Sequence, residues 1–114
     1  MMRKTLFGLA VAITPVLAAA HSKSEATTPG DGATVSEVPE LSMRFDDPMR
    51  IIAVTLTSEG SDIAIERETG MDPAKEFRAM PSEALAPGDY LLEWRGMASD
   101  GHPMQGSFSF TVIE

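Results

Sequence analysis

Apolar and polar residues alternate along several short runs of this chain, and the alternation constrains its fold more than any other feature. It runs through residues 41–45, 90–95 and 107–112, while residues 51–57 are rich in β-branched side chains. A period of two places every second side chain on one face of a β-strand. Turn-forming Pro and Gly residues separate the runs, at 29–32, 47–48, 72–73, 87–88 and 101–103. This pattern predicts an all-β domain, a sandwich or small barrel.

The aromatic side chains are the predicted centre of the core. They fall on the inward phase of their strands and are Phe45, Tyr90, Trp94, Phe108 and Phe110. We expect one turn of helix within residues 72–79, with Pro73 near its start. We also expect a turn at Asp46-Asp47-Pro48, between two separate strands.

Residues 1–20 have the features of a secretory signal peptide. Arg3 and Lys4 precede an apolar stretch over residues 6–17, which is followed by three alanines at 18–20. The alternative is a membrane anchor, but the apolar stretch is shorter than the roughly 20 residues that a membrane span needs. Cleavage after Ala20 would make His21 the first residue of an exported domain of residues 21–114.

Charge and cysteine content exclude several functions. The formal net charge is -8, and it becomes -10 (7 minus 17) when Arg3 and Lys4 are removed. This charge argues against binding to nucleic acid or anionic membranes. The chain has no cysteine, which excludes disulfides, thiolate metal sites, a cysteine nucleophile and a blue-copper centre.

The two histidines indicate a metal site. An N-terminal His21 would offer its α-amine, with a reference pKa near 7.7–8.0, together with its imidazole. Asp100 and His102 flank Gly101, which permits a tight bend, and Pro103 restrains the exit. Three nitrogens and one carboxylate suit Cu(II), with zinc as the main rival. The alternatives without a metal are that His21 is only a solvated terminus and that Asp100-Gly101-His102 is an ordinary surface turn.

The chain from His21 onward resembles the CopC family of periplasmic copper-binding proteins. The resemblance rests on the His21-Ser22-Lys23 start, on residues 29–33, 41–48, 90–95 and 106–112, and on residues 99–103, which contain Asp100-Gly101-His102-Pro103. It implies a seven-stranded Greek-key sandwich, immunoglobulin-like or cupredoxin-like, that binds one Cu(II) ion. It further implies that His21, Asp100 and His102 are the ligands. A membrane copper importer or another periplasmic copper protein is the partner it implies, and we expect a monomer.

Two features of the chain, Asp47 and the distribution of its methionines, depart from the pattern of the family. Many members have Glu-Pro where this chain has Asp47-Pro48, and that glutamate can sit at the copper site. Asp47 is one methylene shorter, so it is a candidate ligand, a water-mediated neighbour or only part of a turn. The six methionines after residue 20 are scattered, and we expect most to fill the core. Met104 could approach the metal, but we expect no dedicated Cu(I) site.

Three functions are therefore to be weighed. The first is a copper-binding protein of the cell envelope that buffers Cu(II) or passes it on, without catalytic residues. The second is a copper-dependent oxidative enzyme with a histidine-brace-type centre, for which the chain is small and offers no exposed aromatic platform. The third is an immunoglobulin-like structural module without a metal.

Overall fold

A computed structural model describes residues 26–114 and contains eight strands and no helix in that range. The predicted signal peptide and His21 lie outside the described residues. Within the described part, no helix is long and apolar enough to cross a membrane. The strands are β1 (Ala26–Thr28), β2 (Ala33–Val35), β3 (Leu41–Ser58), β4 (Ser61–Ile63), β5 (Ile65–Arg67), β6 (Ala74–Pro81), β7 (Gly88–Ala98) and β8 (Pro103–Val112).

The strands form one strongly curled sheet in the order β2-β8-β7-β3-β6-β5, with β1 and β4 also paired to β3. All pairs are antiparallel except β2 with β8. Only Ala64 separates β4 from β5, and the two pair with different strands, β3 and β6. Counting β4 and β5 as one interrupted strand gives the expected seven. The all-β sandwich class is confirmed.

The core forms because alternate side chains of β3, β6, β7 and β8 face the inside of the curl. In β7 buried and exposed residues alternate strictly from Asp89 to Met97. All five predicted core aromatics are buried, and the Phe45 and Trp94 rings meet edge to face with centroids 5.2 Å apart. Such aromatic pairs stabilise a core beyond the area they bury.

The expected turn at Asp46-Asp47-Pro48 is wrong, because these residues lie inside the single 18-residue strand β3. Its pairing with β6 shifts there: Arg44 is opposite Glu76, but Met49 is opposite Ala74. Five steps along β3 therefore match two along β6, which is a bulge. The bulge accommodates the extra residues without ending the strand.

The partners of Arg44 and Met49, on either side of the bulge, show that β1 and β7 lie on the same edge of β3. Arg44 pairs with β6 on one side and with Ala26 of β1 on the other. Met49 pairs with β6 on one side and with Ala98 of β7 on the other. The first residue of β1 and the last residue of β7 therefore lie on the same edge of β3, five residues apart along that strand.

Two further expectations are corrected. Residues 72–79 form no helical turn, because β6 begins at Ala74 and buries Phe77 and Ala79 by pairing with β3. The methionines are divided evenly between core and surface. Met43 and Met49 are buried and Met104 packs against the core, but the remaining three, Met71, Met80 and Met97, are exposed.

Candidate metal centre

The β7–β8 hairpin presents Asp100 and His102 on a tight turn. The amide of Ala98 donates to the His102 carbonyl at 2.9 Å, and the Gly101 amide donates to the Ala98 carbonyl at 2.9 Å. The loop therefore consists of residues 99–101. Gly101 has φ of +91°, a left-handed conformation that favours glycine. This matches the common three-residue hairpin loop, in which a left-handed residue follows a turn.

The two predicted ligand side chains are in contact. His102 Nδ1 lies 2.8 Å from Asp100 Oδ2, and the His102 backbone amide donates to Asp100 Oδ1 at 3.1 Å. Both side chains remain mostly exposed, at 64% for Asp100 and 74% for His102. The backbone N–H of His102, and then its imidazole, hold the pKa of Asp100 below its ordinary value. Asp100 is therefore an ionised, solvent-accessible carboxylate across the neutral range.

This contact permits two ways of holding a metal. Two ligand atoms about 2.0 Å from one ion and at a right angle to each other lie about 2.8 Å apart. The observed Nδ1 to Oδ2 separation thus suits an ion that binds both atoms. Alternatively, His102 binds through Nε2 while Asp100 orients the ring, as carboxylates commonly do for metal-ligating histidines.

Asp100 and His102 alone do not complete a metal site. Within residues 26–114, no three His, Cys, Asp or Glu side chains are grouped so that they could hold a metal ion. Asp47 lies in the bulge of β3, two residues from Met49, which pairs with Ala98 at the base of the hairpin loop. Its role as a ligand stays a prediction, as does that of His21, which lies outside the described residues.

The structure adds details that the sequence did not indicate. Ala98 closes the loop through both its amide and its carbonyl, and backbone bonds of this kind leave no signal in residue type. Met104 is opposite Gly96 and packs against the core. Met97 is exposed and opposite Pro103, so it is the methionine of β7 that faces solvent near the loop.

Comparison with known proteins shows which family and which relatives the chain is similar to. The CopC domain matches residues 24–113. Copper resistance protein C of Pseudomonas syringae pv. tomato is 28% identical, over 95% of this chain and 92% of its own. The protein of the same name from Xanthomonas campestris pv. juglandis is 26% identical over the same shares.

A solved structure agrees with the fold. The crystal structure of PcoC, a methionine-rich copper resistance protein from Escherichia coli, is similar with a TM-score of 0.68 and 27% identity. The similarity covers 82% of this chain and 100% of PcoC. Because the CopC domain spans nearly all the described residues and the fold agrees, this chain belongs to the CopC family.

Proposed function

We propose that this protein is exported to the periplasm, binds one Cu(II) ion per chain, and buffers it or passes it to a partner. The observation that carries the proposal is the Asp100–His102 pair, in which a carboxylate and an imidazole 2.8 Å apart stand exposed at the tip of a constrained hairpin. The copper resistance names of its relatives support copper as the ion.

The remaining ligands in this proposal are the α-amine and the imidazole of His21, freed by cleavage after Ala20. Five residue steps separate His21 from Ala26, the first residue of β1. Extended chain spans about 3.3 Å per residue, or roughly 17 Å in all. The five steps of β3 from Arg44, opposite Ala26, to Met49, opposite Ala98, cover at most this length, because they contain the bulge. The reach of the segment therefore supports His21 as a partner of the hairpin loop.

The donor set favours Cu(II) over its rivals. Nitrogen and carboxylate donors suit Cu(II) in tetragonal geometry, and Cu(II) binds such sites more tightly than Zn(II). Cu(I) prefers thioether and thiolate ligands. The chain has no cysteine, and Met104 packs against the core. An exposed site is accessible to a partner protein, which suits delivery by ligand exchange better than turnover of a substrate.

The test is a competition titration of the exported protein against a chromophoric Cu(II) chelator. We expect one equivalent to bind, and we expect one added alanine before His21 to weaken binding sharply because it removes the amine–imidazole chelate. The matched control is one alanine added after Glu114, at the other end of the chain. Unchanged affinity in the N-terminal variant would contradict the chelate, and absence of Cu(II) binding would contradict the function.

A further inference from the structure

A second bulge in β3 turns an isoleucine outward near the hairpin loop. Ile51 is opposite Gly96, but Ala53 is opposite the preceding residue of β7, so two residue steps along β3 match one along β7. Bulges of this kind re-aim side chains. Here Ile51 is buried, whereas the next residue, Ile52, is exposed. Glycine at position 96 permits the close approach of the two strands, because a Cβ there would overlap the Arg50 carbonyl.

Two arginines and a methionine share the outer face of the sheet with Ile52. Met97 of β7 is directly opposite Arg50 of β3, and directly opposed residues of paired strands project to the same face. Arg95 lies two residues before Met97 along β7, so it projects to that face as well. Both arginines are exposed. The outer face therefore combines apolar and positively charged side chains next to the second bulge.

The connection between β5 and β6 brings a further methionine to this place. Nη2 of Arg67 donates to the carbonyl of Ile51 at 2.8 Å and to that of Gly70 at 3.1 Å. The same guanidinium stacks over Phe77, 5.0 Å from the ring centroid. The shared donor fixes Gly70 beside β3, and the following residue, Met71, therefore borders the second bulge.

The surface formed by these residues is named the arginine–methionine patch and comprises Arg50, Ile52, Met71, Arg95 and Met97. Its composition is unfavourable for an isolated protein. Ile52, Met71 and Met97 are exposed at 37%, 51% and 38%, so their burial contributes little to folding. The two arginines are diagonal neighbours on adjacent strands, where like charges repel. Exposed apolar side chains bordered by polar groups mark interaction sites, and Arg and Met are enriched in protein interfaces.

We propose that the arginine–methionine patch docks a partner protein through an acidic surface, in which carboxylates surround an apolar side chain. The chain has 17 acidic and 9 basic residues, so its overall charge repels an acidic protein and attraction depends on local positive charge. Arginine pairs with carboxylates through two parallel hydrogen bonds. The apolar members supply surface that the partner removes from water. An anionic membrane is less suited, because two arginines do not offset the net charge of -8 at an extended surface.

The position of the patch relates docking to the candidate metal centre. Met97 is opposite Pro103, which directly follows His102. A partner seated on the patch would therefore adjoin the exposed side chains of Asp100 and His102. The use of docking for copper transfer deepens the proposed function and rests on it, whereas docking itself requires no bound metal.

Photo-crosslinking in the cells that naturally produce the protein tests the docking. The photoreactive residue p-benzoylphenylalanine replaces Ile52 in the patch. The control position is Met80, which is equally exposed, at 38%, and lies outside the patch in β6, opposite Glu66. Mass spectrometry identifies the crosslinked partner and the peptide that is attached. We expect one intermolecular product from position 52, attached to a peptide rich in Asp and Glu, in about fivefold or higher yield than from position 80.

Neutral variants test the chemistry of the partner. We expect Arg50→Gln with Arg95→Gln to lower the crosslink yield from position 52 by about fivefold or more, because the carboxylates of the partner lose their charged counterparts. The matched control is Arg44→Gln with Arg78→Gln, which removes the same charge from exposed residues outside the patch and should lower the yield less than twofold. Circular dichroism verifies that the variants are folded.

Several results would overturn the proposal. They are equal yields from the two positions, no product from position 52, a covalent dimer of this chain, a lipid adduct, and attachment to a peptide without carboxylates. A crosslink yield that Arg50→Gln with Arg95→Gln leaves unchanged would overturn it as well.

A Cu(II) titration of the exported Arg50→Gln, Arg95→Gln variant separates docking from the proposed function. Neither arginine is a predicted ligand, so we expect an affinity within about twofold of the wild type, because salt screens exposed charges. A larger change would assign the arginines to the metal site and overturn their role in docking. Docking by a protein that binds no Cu(II) would refute the proposed function alone, while Cu(II) binding without the crosslink would refute the docking alone.

Discussion

Replacing Asp100 with asparagine tests the ligand pair while preserving the loop that presents it. Asparagine keeps the oxygen that accepts the His102 amide at 3.1 Å, so the turn retains its local hydrogen bond. It replaces the oxygen that lies 2.8 Å from His102 Nδ1 with an amide nitrogen. The variant therefore removes the negative charge and the second contact, with little change in shape.

The expected loss of Cu(II) affinity is large under either way of holding the metal. If Asp100 only orients the imidazole, loss of a carboxylate partner typically weakens metal binding by about 10–100-fold. If Asp100 binds the ion itself, one of four donors is lost and the effect should lie at the upper end of that range or beyond it. Asp100 is exposed, so we expect no comparable effect on folding.

The assay is a competition titration at neutral pH, with thermal unfolding by circular dichroism to verify that the variant is folded. The matched control is Asp62→Asn, because Asp62 lies in β4 opposite Thr57, near the end of β3 distant from the hairpin loop. It removes the same charge at a distant place and should change affinity less than twofold. Equal affinity of the Asp100→Asn variant and the wild type would refute the assignment of Asp100 to the metal site.

Other predictions concern pH and packing. Cu(II) affinity should fall steeply from pH 7 to 5, because free imidazole and α-amine take up protons with reference pKa values near 6.5 and 7.7–8.0. The pKa of Asp100 is lowered by the His102 N–H, so its carboxylate stays charged in this range and adds no titration step of its own to the profile. Constant affinity between pH 5 and 8 would contradict the expected fall. Gly106→Ala should destabilise the fold by about 1–3 kcal/mol in chemical denaturation, because a Cβ there would lie 2.8 Å from Nε1 of the buried Trp94. Gly70→Ala, whose Cβ would meet nothing within 4 Å, is the control, and equal stability of the two variants would refute the packing argument.

The core could be predicted from sequence because its signal is local. In β7 a period of two continues from Asp89 to Met97, and the buried face carries Tyr90, Leu92 and Trp94. Large apolar side chains at every second position leave one orientation in which they can be removed from water. The burial of these residues follows from the pattern alone.

The errors arose where tertiary pairing outweighed local preference. Residues 74–80 include Ala, Lys, Glu and Met, which favour helix, yet they form β6 because Phe77 and Ala79 complete the core beside β3. Asp46-Asp47-Pro48 has turn chemistry, yet β3 continues through it as a bulge because β1, β6 and β7 pair with the flanking residues. Neither outcome can be derived from spacing within the segment itself.

The candidate site was predicted in part. Gly101 between Asp100 and His102 indicated a bend that would bring both side chains to one side, and their contact at 2.8 Å confirms this proximity. The position of Asp47 relative to the loop depended on the register of β3 with β7, which the sequence does not reveal. The roles of His21 and Asp47 stay predictions.

The most direct test of copper binding at this site uses the exported protein with its first residue identified by intact mass. The Cu(II) absorption and electron paramagnetic resonance spectra are then recorded for the wild type and for His102→Ala. We predict that the first residue is His21 and that one Cu(II) binds with a spectrum typical of several nitrogen ligands. We expect this spectrum to change or disappear in the His102→Ala variant. A protein that begins at His21 but binds no Cu(II), or a spectrum unaffected by His102→Ala, would contradict the account.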